Sequence, residues 1–599
     1  MRNADTILGI HQKRGSARLP LERVYKQLFN PELYLGAYGK IYRNTGAMTP
    51  GSTNETVDSM SLQKIQRIID LLRQERYRWT SVRRMEIPKA NGKMRPLGIP
   101  TWSDKLVQEV LRMLLEPYYE QRFSDHSHGF RPKRGCHTAL REIQRNWKGT
   151  VWFIEGDIKG CFDNIDHTIL LETIRRDIHD GRLLNLLDGL LKAGYMENWQ
   201  YHDTLSGTPQ GGIISPLLSN IYLNELDRFI EDTLTPAYTK GERRLANPEY
   251  ERLSYLIRIA RQDNDGETVL NLKRERRKLA SQDPFDPDYR RLKFVRYADD
   301  FLLGFVGPKT EAEDIRQRLE EFLAQNLKLT LSLEKTLITH ALDDKAKFLG
   351  YEITVSRNNN LIAANGKRAA NGVIALLMPS TVVKKYRSRY SKNGKIIHRP
   401  ELLANDDYTI VQQYQSVLRG IYNYYCMAVN VGNKRRMGCI WWVLHTSLAK
   451  TLAHKHKCPV SEIYRQYRIC TPEHTILRVQ IDRPGKKPLV AEFGGFSCKR
   501  IPEGLGTADF QFDQAWNFYS SRRSEVVQRL INSVCELCGA SDEPIVVHHI
   551  HKLADINRPG RSPKENWEVI MSARKRKTLV VCTKCHKSIH AGAYNGRSL

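Results

Sequence analysis

The sequence predicts a multidomain α+β protein, and three observations carry that expectation. Its 599 residues amount to about four domains at roughly 150 residues each, more than one core can hold. Two apolar stretches, 151–158 (VWFIEGDI) and 294–306 (FVRYADDFLLGFV), read as buried strands with helical patterns between them. The texture then changes twice, to a basic helix-patterned middle after about residue 360 and to a Cys- and His-rich tail after about 530.

The composition is 41% hydrophobic and 27% charged, ordinary for a globular protein and too apolar for a disordered one. The charge balance is unusual: 94 Lys and Arg against 66 Asp and Glu give +28. Such a surface attracts polyanions, nucleic acid above all. No apolar run approaches the roughly 18 residues a bilayer span needs, so no membrane partner is expected. Residues 1–20 are polar and mixed, without the apolar core of a secretion signal, so a cytoplasmic location is expected. Eleven cysteines, odd in number and scattered, do not make a disulfide framework and point to a reducing compartment.

Along the chain, 62–77 (LQKIQRIIDLLRQERY) carries apolar side chains at helical spacing, and 83–100 reads as a hairpin turning at Asn91-Gly92. A long helix is predicted from Asp104 to about Tyr119. Residues 236–291 are rich in Arg, Glu and Asp and poor in large apolar residues, the texture of an inserted, exposed arm. Between 360 and 490 there are 22 Lys and Arg and 6 Asp and Glu, a net +16. Helical stretches there (410–428 and 439–456) mix Tyr, Trp and Arg, which suits base stacking and phosphate contact.

The chemistry of the first half centres on Tyr297-Ala298-Asp299-Asp300. Adjacent carboxylates between apolar strands are costly to bury unless a cation neutralises them. Mg²⁺ held by a few carboxylates and substrate phosphates answers that cost, and Asp157, ending the apolar strand VWFIEGD, supplies a third carboxylate.

In the tail, Cys535-x-x-Cys538 and Cys582-x-x-Cys585 offer four thiolates to one tetrahedral, structural Zn²⁺. Around them lie His548-His549, Asn566, His586 and His590. A His-His pair on a strand, an Asn, and two His at i and i+4 on a helix resemble an HNH nuclease. That resemblance makes His549 the general base and Asn566 the residue that orients it, with His548 and His590 as ligands of a catalytic cation and His586 as a further candidate. His551 is adjacent and stays open as an alternative.

The ordered motifs of the first half carry a wider resemblance. HGFRPKRGCHTAL (128–140), GDIKGCFDNIDH (156–167), GTPQGGIISPLLSNIYLNELD (207–227), YADD, LTLSLEKTLITH (329–340) and KFLGYEI (347–353) are similar, in order, to the palm motifs of group II intron reverse transcriptases. LRGIYNYYCMA (418–428) and SLAKTLAHKHK (447–457) resemble the maturase, or X, domain. The resemblance implies a right-hand polymerase with fingers and palm, an α-helical thumb/X domain, and a zinc-stabilised ββα HNH module at the C-terminus. The implied domains are 1–358 (fingers and palm, with the arm at about 236–291), 359–485 (thumb/X), 486–530 (DNA-binding) and 531–599 (nuclease).

It also implies roles. Asp157, Asp299 and Asp300 would hold the catalytic Mg²⁺ ions, and Phe162 would exclude a ribose 2′-hydroxyl. Lys89 and Arg95 would grip the triphosphate, Gln210 would pack by nucleotide and template, and Lys335 would protonate the leaving pyrophosphate. The expected function is a reverse transcriptase and maturase that binds its intron RNA and promotes splicing. It would drive retrohoming into double-stranded target DNA by second-strand cleavage and cDNA synthesis from dNTPs. A non-mobile reverse transcriptase, or a splicing maturase that only binds, is the alternative. Both X-domain and nuclease motifs are present, and all three palm carboxylates are intact. The arm is open to contact with RNA or with a second protomer in a homodimer.

Overall fold

The computed structural model of the chain describes residues 2–592 and 594, apart from 45, 89–91, 93, 198–199, 203–206, 208–210, 284–285, 333, 359–370, 471–474, 506–523 and 554–564. The N-terminal layer is helical. Leu62–Arg73 forms because Ser61 caps it, accepting from the Lys64 amide, while Ile65, Ile68, Ile69 and Leu72 line one buried face. It ends four residues before the apolar pattern does. The helix Trp102–Tyr119 is buried nearly all round. Its charged residues survive there because Glu109 sits between Lys40 (3.4 Å) and Arg112 (2.9 Å). The predicted hairpin pairs Val82–Pro88 with Met94–Ile99, Arg83 opposite Ile99 and Pro88 opposite Met94.

The palm is a four-stranded antiparallel sheet in the order Ile338–His340, Trp152–Asp157, Asp300–Val306, Arg291–Tyr297. The 294–306 stretch is thus two strands, turned at Ala298 with φ +58. The register sets Asp157 opposite Asp300. A Cβ at Gly156 would lie 2.1 Å from the Phe301 ring, so glycine makes room for that buried ring. The arm folds as two helices, Pro248–Gln262 and Gly266–Arg276, around Ile257, Ala260, Val269 and Leu272.

A second core gathers the helices Ser380–Arg389, Asp407–Tyr425, Cys439–His456 and Val460–Tyr467. This part is not purely helical: Arg468–Cys470, Thr475–Arg483 and Lys486–Phe493 form a three-stranded sheet against it. Thr475–Arg483 pairs with Lys486–Phe493 across position 485, so the division that the resemblance implies there runs through a hairpin. The tail has the ββα order, Ile545–His549, Thr578–Cys582, Thr583–His590, with Asn566–Ala573 inserted between the strands. It is not a separate bead on the chain. Val527, Leu530, Val547 and Leu579 belong to the same apolar core as Tyr38, Met60 and Trp102 of the N-terminal layer. Among the described residues no helix is long and apolar enough to cross a membrane.

Candidate active sites

The palm site is built by sheet register. Asp157 ends one strand, Asp300 begins its neighbour, and Asp299 stands in the tight turn beside them. Desolvation, then the charge of Asp157, raises the carboxyl of Asp299 above its ordinary range. Asp300 is pushed up to about 7, by desolvation first and then by Asp299 and Asp157. Carboxylates that hinder one another's ionisation at a cleft await a cation, so this donor set fits the divalent ions of phosphoryl chemistry.

Other sequence-predicted residues reach the same place. Lys335 donates to Asp157 Oδ2 at 2.7 Å, and this bond holds its ammonium above the ordinary lysine range. Arg95, on the fingers hairpin, is close enough for its charge to favour ionised Asp299. Phe162, half-buried on the Cys161–Asp163 turn, meets Phe130 edge-on with centroids 6.2 Å apart. Lys89 and Gln210 lie outside the described residues.

What sequence reasoning missed is the clamp behind the turn. Arg296 is 1% exposed and forms a bidentate pair with fully buried Asp227, Nε to Oδ1 at 2.7 Å and Nη2 to Oδ2 at 2.6 Å. Its Nη1 donates to the Ala298 carbonyl (2.8 Å) and to Asn220 Oδ1 (3.2 Å). The guanidinium thus holds the left-handed residue that aims Asp299. Gly129 closes the other side, where a Cβ would lie 2.2 Å from the Ala298 amide. The signal was present as an Arg inside an apolar strand and an Asp ending NIYLNELD.

In the tail two groups bring their ligand atoms within 4.8 Å of one another. One is Cys535, Cys538, Cys582 and Cys585. The Cys538 and Cys585 amides donate to the Sγ of Cys535 and Cys582 at 3.5 Å, the turn of a metal knuckle. Cys538 and Cys582 Sγ are 3.7 Å apart. A tetrahedron with Zn–S of about 2.3 Å has edges of about 3.8 Å, so the set fits zinc.

The other group is His548, His586 and His590 with Asp58, a residue from the N-terminal part of the chain that the sequence did not single out. Burial raises the Asp58 carboxyl, but the neighbouring imidazoles of His548 and His586 pull it well below the usual range. Asn566 opens the helix whose Trp567 packs edge-on against His548 at 5.2 Å.

His549 faces away from this group. Only 5% exposed, its ring lies between Tyr38 and Tyr42. Nδ1–H donates to the Val547 carbonyl at 3.1 Å, which leaves Nε2 to accept from the Tyr38 hydroxyl at 3.2 Å. Burial pushes its pKa down to about 4, so the imidazole is neutral at pH 7. His551 is exposed.

Two candidate sites on one chain, a carboxylate triad and a His-rich ββα site beside a Cys₄ cluster, fit a polymerase joined to a nuclease. Family models match in the same order: reverse transcriptase (RNA-dependent DNA polymerase) over 87–353, type II intron maturase over 372–477, and AI2M/AI1M-like HNH endonuclease over 535–586. The chain is 40% identical to the group II intron-encoded protein LtrA of Lactococcus lactis subsp. cremoris, over 95% of both chains. It is 32% identical to the putative COX1/OXI3 intron 1 protein of Saccharomyces cerevisiae, over 94% of this chain and 68% of that one. It is 34% identical to protein YkfC of Escherichia coli, over 57% of this chain and 85% of that one. The chain belongs to the group II intron-encoded proteins, with reverse transcriptase, maturase and HNH endonuclease domains.

Proposed function

We propose that this protein holds its own group II intron RNA in a splicing-competent shape and then moves the intron into DNA. The observation that carries the polymerase part is the register that sets Asp157 against Asp300 with Asp299 in the adjoining turn. Divalent cations bound by these carboxylates supply activation of a primer hydroxyl and neutralisation of the leaving pyrophosphate. Lys335, already paired with Asp157, is proposed to hand a proton to that pyrophosphate, and Arg95, whose charge reaches Asp299, to meet the triphosphate of a dNTP. Lys89 and Gln210 are proposed to join them. The Phe162 ring is proposed to lie under the incoming sugar and reject a 2′-hydroxyl.

The division of labour is fingers and palm over 1–358, thumb/X from 359 to the end of the hairpin near 493, a DNA-binding stretch to about 530, and the nuclease beyond. The +16 middle supplies phosphate contacts to the intron. In the nuclease, zinc on the four cysteines is structural, and the histidine cluster holds the cation that polarises the scissile phosphate. His549 is the proposed base: neutral, with Nδ1 committed as donor and Nε2 as acceptor. The Tyr38 hydroxyl now occupies that lone pair and has to yield it to water. Asn566 is proposed to orient the base. The polymerase then extends the new 3′ end along the inserted intron. The site of action is the bacterial cytoplasm, as a ribonucleoprotein.

Sequencing the RNA that co-purifies with the protein tests the reading. An excised intron lariat is expected, and a population of unrelated RNAs would overturn it. Strand-resolved nicking of a duplex target by His549→Ala tests the base. Second-strand cleavage should vanish while reverse splicing into the first strand continues.

A further inference from the structure

We infer that the nuclease cation site is bipartite, with Asp58 of the fingers as a ligand alongside His548, His586 and His590. The inference rests on the nuclease reading given above. Three imidazoles from the tail converge on one carboxylate that lies 490 positions earlier than His548 in the sequence. His590 Nε2 is 2.8 Å from Asp58 Oδ2, His586 Nε2 is 3.2 Å from the same atom, and His548 Nδ1 is 3.5 Å from Oδ1. These are the edge lengths of a coordination sphere. At metal–ligand distances of about 2.1 Å, neighbouring ligand atoms stand about 3.0 Å apart in an octahedron and about 3.4 Å in a tetrahedron.

The ring of His548 supplies a second, independent observation. It is 4% exposed, and neither of its nitrogens makes a hydrogen bond. A buried imidazole without hydrogen bonds costs free energy that a cation bound at Nδ1 would offset. Ion pairing with Asp58 alone does not do this, since the Nδ1 contact is too long for a hydrogen bond.

The backbone holds Asp58 in place. Residues 59 and 60 run along the free edge of the Ile545–His549 strand, with Ser59 N–H donating to Val547 O (3.1 Å) and Val547 N–H to Met60 O (2.8 Å). Ser59 takes φ +66, a left-handed conformation rare for serine, directly after Asp58. Asp58 Oδ1 also accepts from the His549 amide at 2.8 Å. A loop that happened to brush the nuclease would need neither the strand pairing nor the unusual backbone. The consequence is that the endonuclease is assembled only on its own polymerase: the isolated ββα fold carries three of the four ligands.

The test uses the full-length protein and Mn²⁺, whose free ion is read by electron paramagnetic resonance. Asp58→Asn keeps an oxygen for the His549 amide and removes the charge, Asp58→Ala removes both, and His590→Ala is the reference for loss of a ligand. Thermal unfolding without added cation identifies any variant that fails to fold, and the Asn variant is the one expected to fold as the parent does. The expected result is at least tenfold weaker Mn²⁺ binding at one site in Asp58→Asn, matching His590→Ala, with second-strand nicking reduced in parallel. Parent-like Mn²⁺ binding in Asp58→Asn with faster nicking would overturn the inference and make the carboxylate a plug in the site. Unchanged binding in both Asp58→Asn and His590→Ala would instead remove the cation site itself, and with it the nuclease reading on which the inference rests.

Discussion

Removing the carboxylate of Asp227 tests whether the active-site turn is held from behind. The Arg296 guanidinium is 1% exposed and spends two donors on Asp227, at 2.6 and 2.7 Å. Asp227→Ala therefore leaves a desolvated charge with only Asn220 and the Ala298 carbonyl as partners. Breaking a buried pair from one side costs about 3–5 kcal/mol, or roughly two to three and a half decades in the folding equilibrium. Asp227→Asn, which keeps the shape and one acceptor, should cost about 2 kcal/mol, the scale of one hydrogen bond to a charged group. The double variant Asp227→Leu/Arg296→Met removes both charges and should regain most of the stability, since apolar replacements of buried pairs are often near neutral. It should not regain cDNA synthesis, because nothing then grips the Ala298 carbonyl. Urea unfolding followed by tryptophan fluorescence reads the first effect, and primer extension on an RNA template reads the second. Full primer extension by the double variant, or an Asp227→Ala cost below about 1 kcal/mol, would refute the clamp.

Three further outcomes are expected. Asp299→Ala should abolish primer extension and leave intron splicing intact, because splicing needs the RNA-binding surfaces and not the carboxylates; retained extension would displace the triad. cDNA synthesis should fall as pH drops through about 7, where Asp300 takes up a proton that a cation must displace, and excess Mg²⁺ should move the fall to lower pH. The sign follows from a carboxyl raised above its ordinary range, which is ionised only above the raised value; a flat profile between pH 5 and 8 would contradict it. Neutralising Lys434, Arg435 and Arg436, which begin the helix-rich face at 434–456, should reduce the slope of log affinity against log salt by about 2 if all three meet phosphates of single-stranded RNA. An unchanged slope would make them a solvated face.

How much of this was legible in the sequence depends on distance along the chain. Tyr297 to Asp300, the palm strands and the Cys-x-x-Cys knuckles are local patterns, in which a residue's chemistry and its flanks are read together. The hairpin at 82–99 and the helix at 62–73 were legible for the same reason, since periodicity and turn residues act over a few positions. The register of Asp157 against Asp300 joins segments 143 positions apart, and no periodicity encodes it. Arg296 looked like one basic residue in an apolar strand, and its partner Asp227 like a helix end. Asp58 was the least visible. It sits in a polar loop, STNETVDSMS, whose texture is that of any surface turn, and its partners lie at the other end of the chain. His549 is the complementary case. The HH pair marked the right strand, but alternation of faces sends His548 to the cation cluster and His549 towards Tyr38.

The shared core of fingers and tail leads to a last expectation, about what the tail does for the polymerase. Tyr38 and Met60 are both fully buried, and the tail strand at 545–549 contributes to covering them, through the Met60–Val547 bridge and the Tyr38–His549 contact. Ending the chain before residue 524 would uncover them together with the face on which Val527 and Leu530 pack. At about 1.5–3 kcal/mol for each large apolar side chain fully returned to water, Tyr38 and Met60 set an upper bound of roughly 3–6 kcal/mol. That corresponds to a fall on the order of 10 °C in the midpoint of heat inactivation for a domain of this size. Cys582→Ser should act in the same direction by a longer route. Loss of zinc loosens the strand at 578–582, which pairs with 545–549 and through it covers the fingers. Both variants should therefore lose polymerase activity on heating sooner than the parent, as read by primer extension after timed incubation, with zinc content measured alongside. A nuclease hung on a flexible tether predicts something else: Cys582→Ser would lose zinc and nicking while the polymerase kept its parental heat resistance. That result would mean that the common core does not carry load between the two enzymes.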